Sequence, residues 1–248
     1  MITFETEINN KKVKLYSNAP LKNAATALLR TLNQLSEQTN IFNPTFAVNY
    51  GWARYFLSKR TEKNNVFYVV QTADYENDPF KLRTDDCTSA LIVQNMQVDT
   101  NMKAKIENPE PTIFSDTILV LKEAISAKDV YMNRSEPTKN GDSGWYFGLL
   151  NDENEGNHTN EELVTVHSYE LMKFRGEALR VLQMPVGTVA VFHENTMTAL
   201  VDKDDNSLEF TTADDRKRAI AQRKAAEAAQ TGDADNALAV PDAENKEN

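Results

Sequence analysis

One cysteine, Cys87, stands in the 248 residues, so no internal disulfide can form. Histidine is nearly as scarce, with His158, His167 and His193 the whole set. Three scattered histidines and a lone cysteine have no metal-ligand spacing, so neither a metal nor another cofactor is expected. No apolar run approaches the roughly 18 residues of a membrane span. An excess of positive charge is missing too: 27 Lys and Arg face 37 Asp and Glu, for a net charge of -10. That balance argues against nonspecific binding to nucleic acid or to an anionic membrane. It suits a soluble protein, or one with a basic partner. Glycine-rich phosphate loops and dinucleotide-binding patterns are also absent. The N-terminal Met1-Ile2-Thr3-Phe4-Glu5 lacks a basic-then-apolar signal, and a cytoplasmic protein is expected.

What is present is enough hydrophobic residue, 40%, to bury a core. Ile2 to Ile8 alternates apolar and polar, as a half-buried strand does. Asn9-Asn10 reads as a turn, with Val13 and Leu15 continuing on a second strand. Pro20 suits the first turn of a helix, and Leu21, Ala24, Ala25, Leu28, Leu29, Leu32 and Leu35 follow at helical spacing to about Glu37. Phe46 to Tyr55 fits strand or helix. Val66 to Val70 reads as a buried strand, Asp74 to Asp86 as a polar loop, and Ala90-Leu91-Ile92-Val93 as a short apolar element that favours strand over helix. Asn108, Pro109 and Pro111 punctuate the chain, which places a boundary near residues 100 to 115.

Past the boundary, Ile118 to Leu121 reads as a buried strand, and Val164 to Val166 as a possible further one. Glu177 to Leu182 reads as a short helix stopped by Pro185. Thr188 to Phe192 and Ala199 to Val201 form a closing hairpin. From Ala213 the mix of Arg, Lys and Ala favours an isolated polar helix, and beyond Thr231 the acidic chain has little to bury and is expected to be disordered.

Several residues invite a catalytic or metal reading. Gly141-Asp142-Ser143-Gly144 matches the nucleophile tetrapeptide of chymotrypsin-like proteases. That chemistry needs a histidine base and a carboxylate behind it, yet no histidine precedes Ser143, so a structural turn is the expectation. Cys87 lies beside Asp85 and Asp86, whose charges would raise its pKa, the wrong direction for a nucleophile. Asp74-x-Glu76-x-Asp78 and Asp202-x-Asp204-Asp205-Asn206 lack the glycine and distal glutamate of a calcium loop. No catalytic residue is assigned, and the chain is read as a non-enzyme.

The most distinctive stretch is Asn133 to Gly148. Val130-Tyr131-Met132 before the loop and Trp145-Tyr146-Phe147 after it are strand formers, separated by Pro137, Asn140, Gly141, Asp142 and Gly144. Two strands joined by a working loop of about ten residues are predicted. Arg134 and Glu136 share a strand face, either pairing internally or lining a partner site. Alternation puts Trp145 and Phe147 on one face and Tyr146 on the other. Trp145, Phe147 and Gly144 are assigned structural roles, and Arg134, Glu136, Asp142 and Tyr146 partner contacts.

Val130-Tyr131-Met132-x-Arg134-x-Glu136-Pro137, Asp142-Ser143-Gly144-Trp145-Tyr146-Phe147 and Leu182-x-x-Pro185-Val186-Gly187 carry a resemblance. The run from Asp116 to about Val201 is similar to a bacterial immunity-protein domain, first catalogued as a domain of unknown function and counted as the thirty-third immunity family of polymorphic toxin systems. One departure is that the acidic segment from Asn151 to Glu162 has no aromatic residue, where the family usually carries one. The resemblance implies a protein that binds and neutralises a toxin, without naming the toxin.

The expected fold is α+β, two subdomains on mainly antiparallel sheets with a few flanking helices, a C-terminal helix and a disordered acidic tail. The expected divisions are 1–105, 116–210, 211–231 and 232–248. The expected function is a non-catalytic immunity factor with a protein partner, no nucleic acid and no membrane. The alternative is an accessory small-molecule- or peptide-binding domain with no toxin involved.

Overall fold

The computed structural model describes residues 1–154, 156–209 and 219–225. The architecture is α+β, with two sheets and a few helices. The chain divides into two compact units. One comprises Met1–Ile118, Pro137–Ser143 and Val166–Pro185; the other comprises Leu119–Glu136, Gly144–Thr165 and the chain from Val186 on.

In the first unit, β1 (Ile2–Ile8) and β2 (Lys11–Ser17) form a hairpin. Its turn residues Asn9 and Asn10 both have positive φ, 49° and 57°. Two such residues match the right-handed twist of the strands, and asparagine tolerates the conformation better than most side chains. A 3-10 turn at Ala19–Leu21, with Pro20 at its start, leads into α1 (Lys22–Ser36). The apolar stripe read from the sequence is the buried face: Ala25, Leu28, Leu29 and Leu32. The ambiguous segment is strand, divided into β3 (Ala47–Tyr50) and β4 (Ala53–Glu62) around Gly51 at φ 60°. Strand β5 (Asn65–Ala73) returns antiparallel to β4, and β6 (Arg83–Thr84) adds to it within the polar segment. The sheet order is β1-β2-β5-β4-β3, with β6 on β5; the β2–β5 pair is parallel.

One expectation fails here. Ala90 to Val93 is not a strand but part of α2 (Thr88–Lys103). Its buried positions Ala90, Leu91, Val93, Gln97 and Thr100 follow helical spacing, but two of the five are polar. An apolar period cannot show where a helix buries amides and hydroxyls. Those polar groups are satisfied. Gln97 Nε2 donates to the Leu179 carbonyl at 2.9 Å, and Gln183 Nε2 donates to Gln97 Oε1 at 2.9 Å. Asn101 Nδ2 completes the row with a bond to Gln183 Oε1 at 2.7 Å. The ladder docks α2 against the 3-10 segment Gly176–Val181, where the sequence predicted a short helix.

The second sheet is seven-stranded, in the order β10-β7-β9-β8-β11-β12-β13. Its strands are β7 (Thr117–Leu121), β8 (Asp129–Arg134), β9 (Asp142–Leu149), β10 (Leu163–His167), β11 (Val189–His193), β12 (Thr196–Val201) and β13 (Ser207–Glu209). The β11–β12 hairpin is the closing hairpin of the sequence. Between Leu171 and Phe174 lies a single helical turn, α3.

In the second unit, antiparallel register sorts the side chains. Trp145 pairs with Arg134, and Phe147 with Met132, which in turn faces Ala190. All are buried. The opposite face carries Tyr131, Val189, Val191, Ala199 and Val201, packed with Leu150, Ala219 and, partly buried, Tyr146 and Ile220. Residues 219–225 are helical and lay Ala219 and Ile220 on this face. The rest of the expected polar helix, and the tail expected to be disordered, lie outside the described residues.

Candidate functional site

Strands β8 and β9 meet as the sequence indicates, and the connecting loop spans residues 135–141. Glu136 and residues 137–141 are exposed. Asp142 shapes the loop from its end: its Oδ2 accepts from the Thr138 amide at 2.9 Å and from the Thr138 hydroxyl at 2.8 Å. The Gly141 carbonyl accepts from the Thr117 amide at 2.7 Å. Positive φ at Gly141, 81°, and Gly144, 74°, lets the chain turn on both sides of Asp142 without a Cβ clash. The structural assignment of Gly144 therefore has a backbone cause.

The four residues read as partner contacts do not share one surface. Arg134 is buried, only 6% exposed, with its guanidinium carbon 5.8 Å from the centroid of the Trp145 ring. Tyr146 points to the other face, half-buried and edge-on to Tyr131 at 5.7 Å. Glu136 and Asp142 flank the exposed loop. Trp145 and Phe147 lie in the core at 1% and 0% exposure. A Cβ on Gly148 would fall 2.5 Å from Tyr146 Cε1 and 2.9 Å from Tyr131 Cε1, so the two rings meet only because that position has no side chain.

Ser143 is buried, and its hydroxyl donates to the Thr117 carbonyl at 2.6 Å. The three histidines are engaged elsewhere. His158 Nε2 lies 2.7 Å from Asp152, His167 Nδ1 lies 2.7 Å from the Ser115 carbonyl, and His193 Nδ1 lies 2.8 Å from Asp129. None of these three bonds involves Ser143. Cys87 is fully buried, with Sγ 3.6 Å from the Val70 carbonyl. Burial, with lesser help from Asp86 and Asp85, pushes its thiol well above the ordinary range. Asp74 caps its own turn through the amides of Glu76 and Asn77. Asp202 does the same through Asp204 and Asn206.

Sequence reasoning passed over one feature. The polar segment after β5 carries two exposed large side chains, Phe80 at 55% and Leu82 at 49%. They border a cleft of about 270 Å³ that also touches Arg54, Phe56, Arg83 and Phe114. The signal was there in Asp78-Pro79-Phe80-Lys81-Leu82, an apolar pair inside a stretch otherwise made of turn formers and charge.

No curated protein matches the chain, and no solved structure does. A family match does exist, and it covers the Arg134-to-Trp145 strand pair, Ser143 and the late Pro185-Val186-Gly187. It begins upstream of the resemblance, inside α2. Residues 96–203 match the family model of the Imm33-like domain, which places an immunity-protein family over that segment.

Proposed function

We propose that the protein is a non-catalytic immunity factor, acting in the cytoplasm, that binds a bacterial toxin domain and blocks it. The observation that carries this reading is the Imm33-like match over residues 96–203. Two features support it. The exposed loop after Glu136 is held in shape by Asp142 before any partner arrives, and a pre-shaped loop loses less entropy on docking. The net charge of -10 favours a basic partner and speeds encounter with one. Glu136 and the loop residues up to Gly141 are the proposed contact. Asp142 shapes the loop, while Arg134 and Tyr146 support the strands beneath it.

The test starts from the neighbouring gene. The toxin domain encoded beside this protein is expressed in a sensitive host, alone and with this chain. Growth rescue and co-purification are expected. Glu136→Lys should weaken the complex, and Ser143→Ala should rescue as the parent does. Death of the host despite soluble protein, with no complex recovered, would overturn the reading. Rescue that depends on the Ser143 hydroxyl in a folded variant would reinstate a hydrolase.

A further inference from the structure

The open face of the first sheet holds a second candidate site. Arg54 and Phe56 alternate onto one face of β4, and Phe56 pairs with Ala47 on β3 and Gln71 on β5. Arg83 reaches the same place from β6, its guanidinium 3.8 Å above the centre of the Phe56 ring. The segment after β5 closes the far side with Pro79, Phe80, Lys81 and Leu82.

Three observations point to a ligand. First, the exposed pair is held outward by an ordered turn. The Phe80 amide donates to Asp78 Oδ1 at 3.0 Å, the Leu82 amide donates to the Asp78 carbonyl at 2.8 Å, and the Asp74 amide donates to the Leu82 carbonyl at 3.0 Å. Phe80 also stacks inward, 5.7 Å from Phe114 and 5.0 Å from His167. A fixed aromatic that keeps more than half its surface in water is a ready anchor point. Second, Arg54 and Arg83 have no carboxylate within ion-pair distance among the described residues. Nearby cations are matched: Lys81 pairs with Asp78 at 2.9 Å, and Arg60 with Asp85 at 3.3 Å. In a chain with ten surplus negative charges, two adjacent unmatched arginines are a local inversion. Third, the cleft is bounded by Thr45 and Ala47, and β3 is the last strand of its sheet. Its outer backbone groups can pair with an added strand.

We propose that this cleft binds an acidic peptide segment, with a carboxylate on Arg54 and Arg83 and a large apolar side chain against the exposed Phe80 and Leu82. An edge strand selects an extended chain over a compact small molecule. The overall negative charge selects against a polyanion as long as a nucleic acid, whose affinity grows with the number of neutralised phosphates. The site is independent of the toxin-binding reading, because every residue of it except Phe114 lies outside the matched segment.

The test uses no toxin, so the two readings fail separately. A phage-displayed library of random heptapeptides is panned on the full-length protein, on Arg54→Glu/Arg83→Glu and on Phe80→Ser. Enriched peptides should combine Asp or Glu with Phe, Trp or Leu. The best of them, made synthetically, should bind either variant at least about tenfold more weakly, as loss of an interface anchor does. All three positions are exposed, so circular dichroism should be unchanged. Four outcomes would overturn the proposal: no enrichment over a bare surface, enrichment of basic or uncharged peptides, equal affinity for parent and variants, or displacement of the peptide by a single-stranded oligonucleotide.

Discussion

The indole nitrogen of Trp52 donates to Ser168 Oγ at 2.9 Å, and that same hydroxyl donates to the Ile113 carbonyl at 2.8 Å. Both residues are fully buried, so the hydroxyl satisfies an indole N–H that water does not reach while donating in turn to a carbonyl. The Trp52 carbonyl meanwhile accepts from the Phe114 amide at 3.0 Å. Three distant stretches of the first unit are fastened at this point.

Ser168→Ala strands the indole N–H, while the Ile113 carbonyl keeps the bond it accepts from the Asp116 amide at 3.0 Å. A stranded buried donor costs about 1–3 kcal/mol. A loss in that range is expected, read from urea unfolding. A loss under about 0.5 kcal/mol would show that the site reorganises to satisfy the indole.

Trp145→Ala empties the largest site in the second unit's core. Truncating a buried tryptophan costs about 3–5 kcal/mol, a large part of a domain's stability. The variant should be insoluble or melt far below the parent. Tyr146→Ala, at a half-buried position, should remain folded with a smaller loss. Equal melting of Trp145→Ala and the parent would contradict the burial described here.

Gly148→Ala tests the contact of the two tyrosines. The added methyl must displace both the Tyr146 and Tyr131 rings, and overpacking of this kind costs about 1–3 kcal/mol. The same substitution made together with Tyr146→Ala should cost clearly less than the sum of the two separate losses. Strict additivity in a double-mutant cycle would remove the ring contact as the cause.

Cys87 links stability to alkaline pH. Burial raises the folded thiol's pKa above that of the unfolded chain, which is about 8.5. The folded form therefore holds its proton where the unfolded form has lost it. The contribution is fully present below pH 8.5 and is lost as pH rises toward the folded value. Urea midpoints measured between pH 7 and 10 should fall more steeply for the parent than for Cys87→Ala. The native thiol should also resist alkylation at pH 8 and react once urea unfolds the chain. Fast alkylation of the native protein would refute the burial of Cys87.

The hairpins, α1 and the strand pair around the 135–141 loop were legible because turn formers and apolar periods there reinforce one another. Asn9-Asn10 sits between two alternating strands, and Leu28, Leu29 and Leu32 mark a single helical stripe. Helix α2 was not legible, because Gln97 and Thr100 occupy core positions with polar side chains that only distant partners can satisfy. Arg134 hid for a related reason. A charge at the end of a strand reads as surface, and only the register that sets it beside Trp145 shows it inside. The cleft at Arg54 and Arg83 draws on β4, β6 and the Pro79–Leu82 turn, which no local pattern connects.

The amide ladder on α2 has a temporal side. The Leu179 carbonyl and Gln183 side chain that satisfy Gln97 follow it in the chain by 82 and 86 residues. At a synthesis rate of about 5–20 residues per second, they are made roughly 4 to 17 s after Gln97. During that interval a helix that is fully grown on its own terms carries an amide with no protein partner on the face it will later bury. The ribosome therefore holds a first unit in which α2 can already pack on α1 and β2, while its Gln97 face still waits for its partners. In a translating cell, that interval is when the Gln97 amide depends on water for its hydrogen bonds.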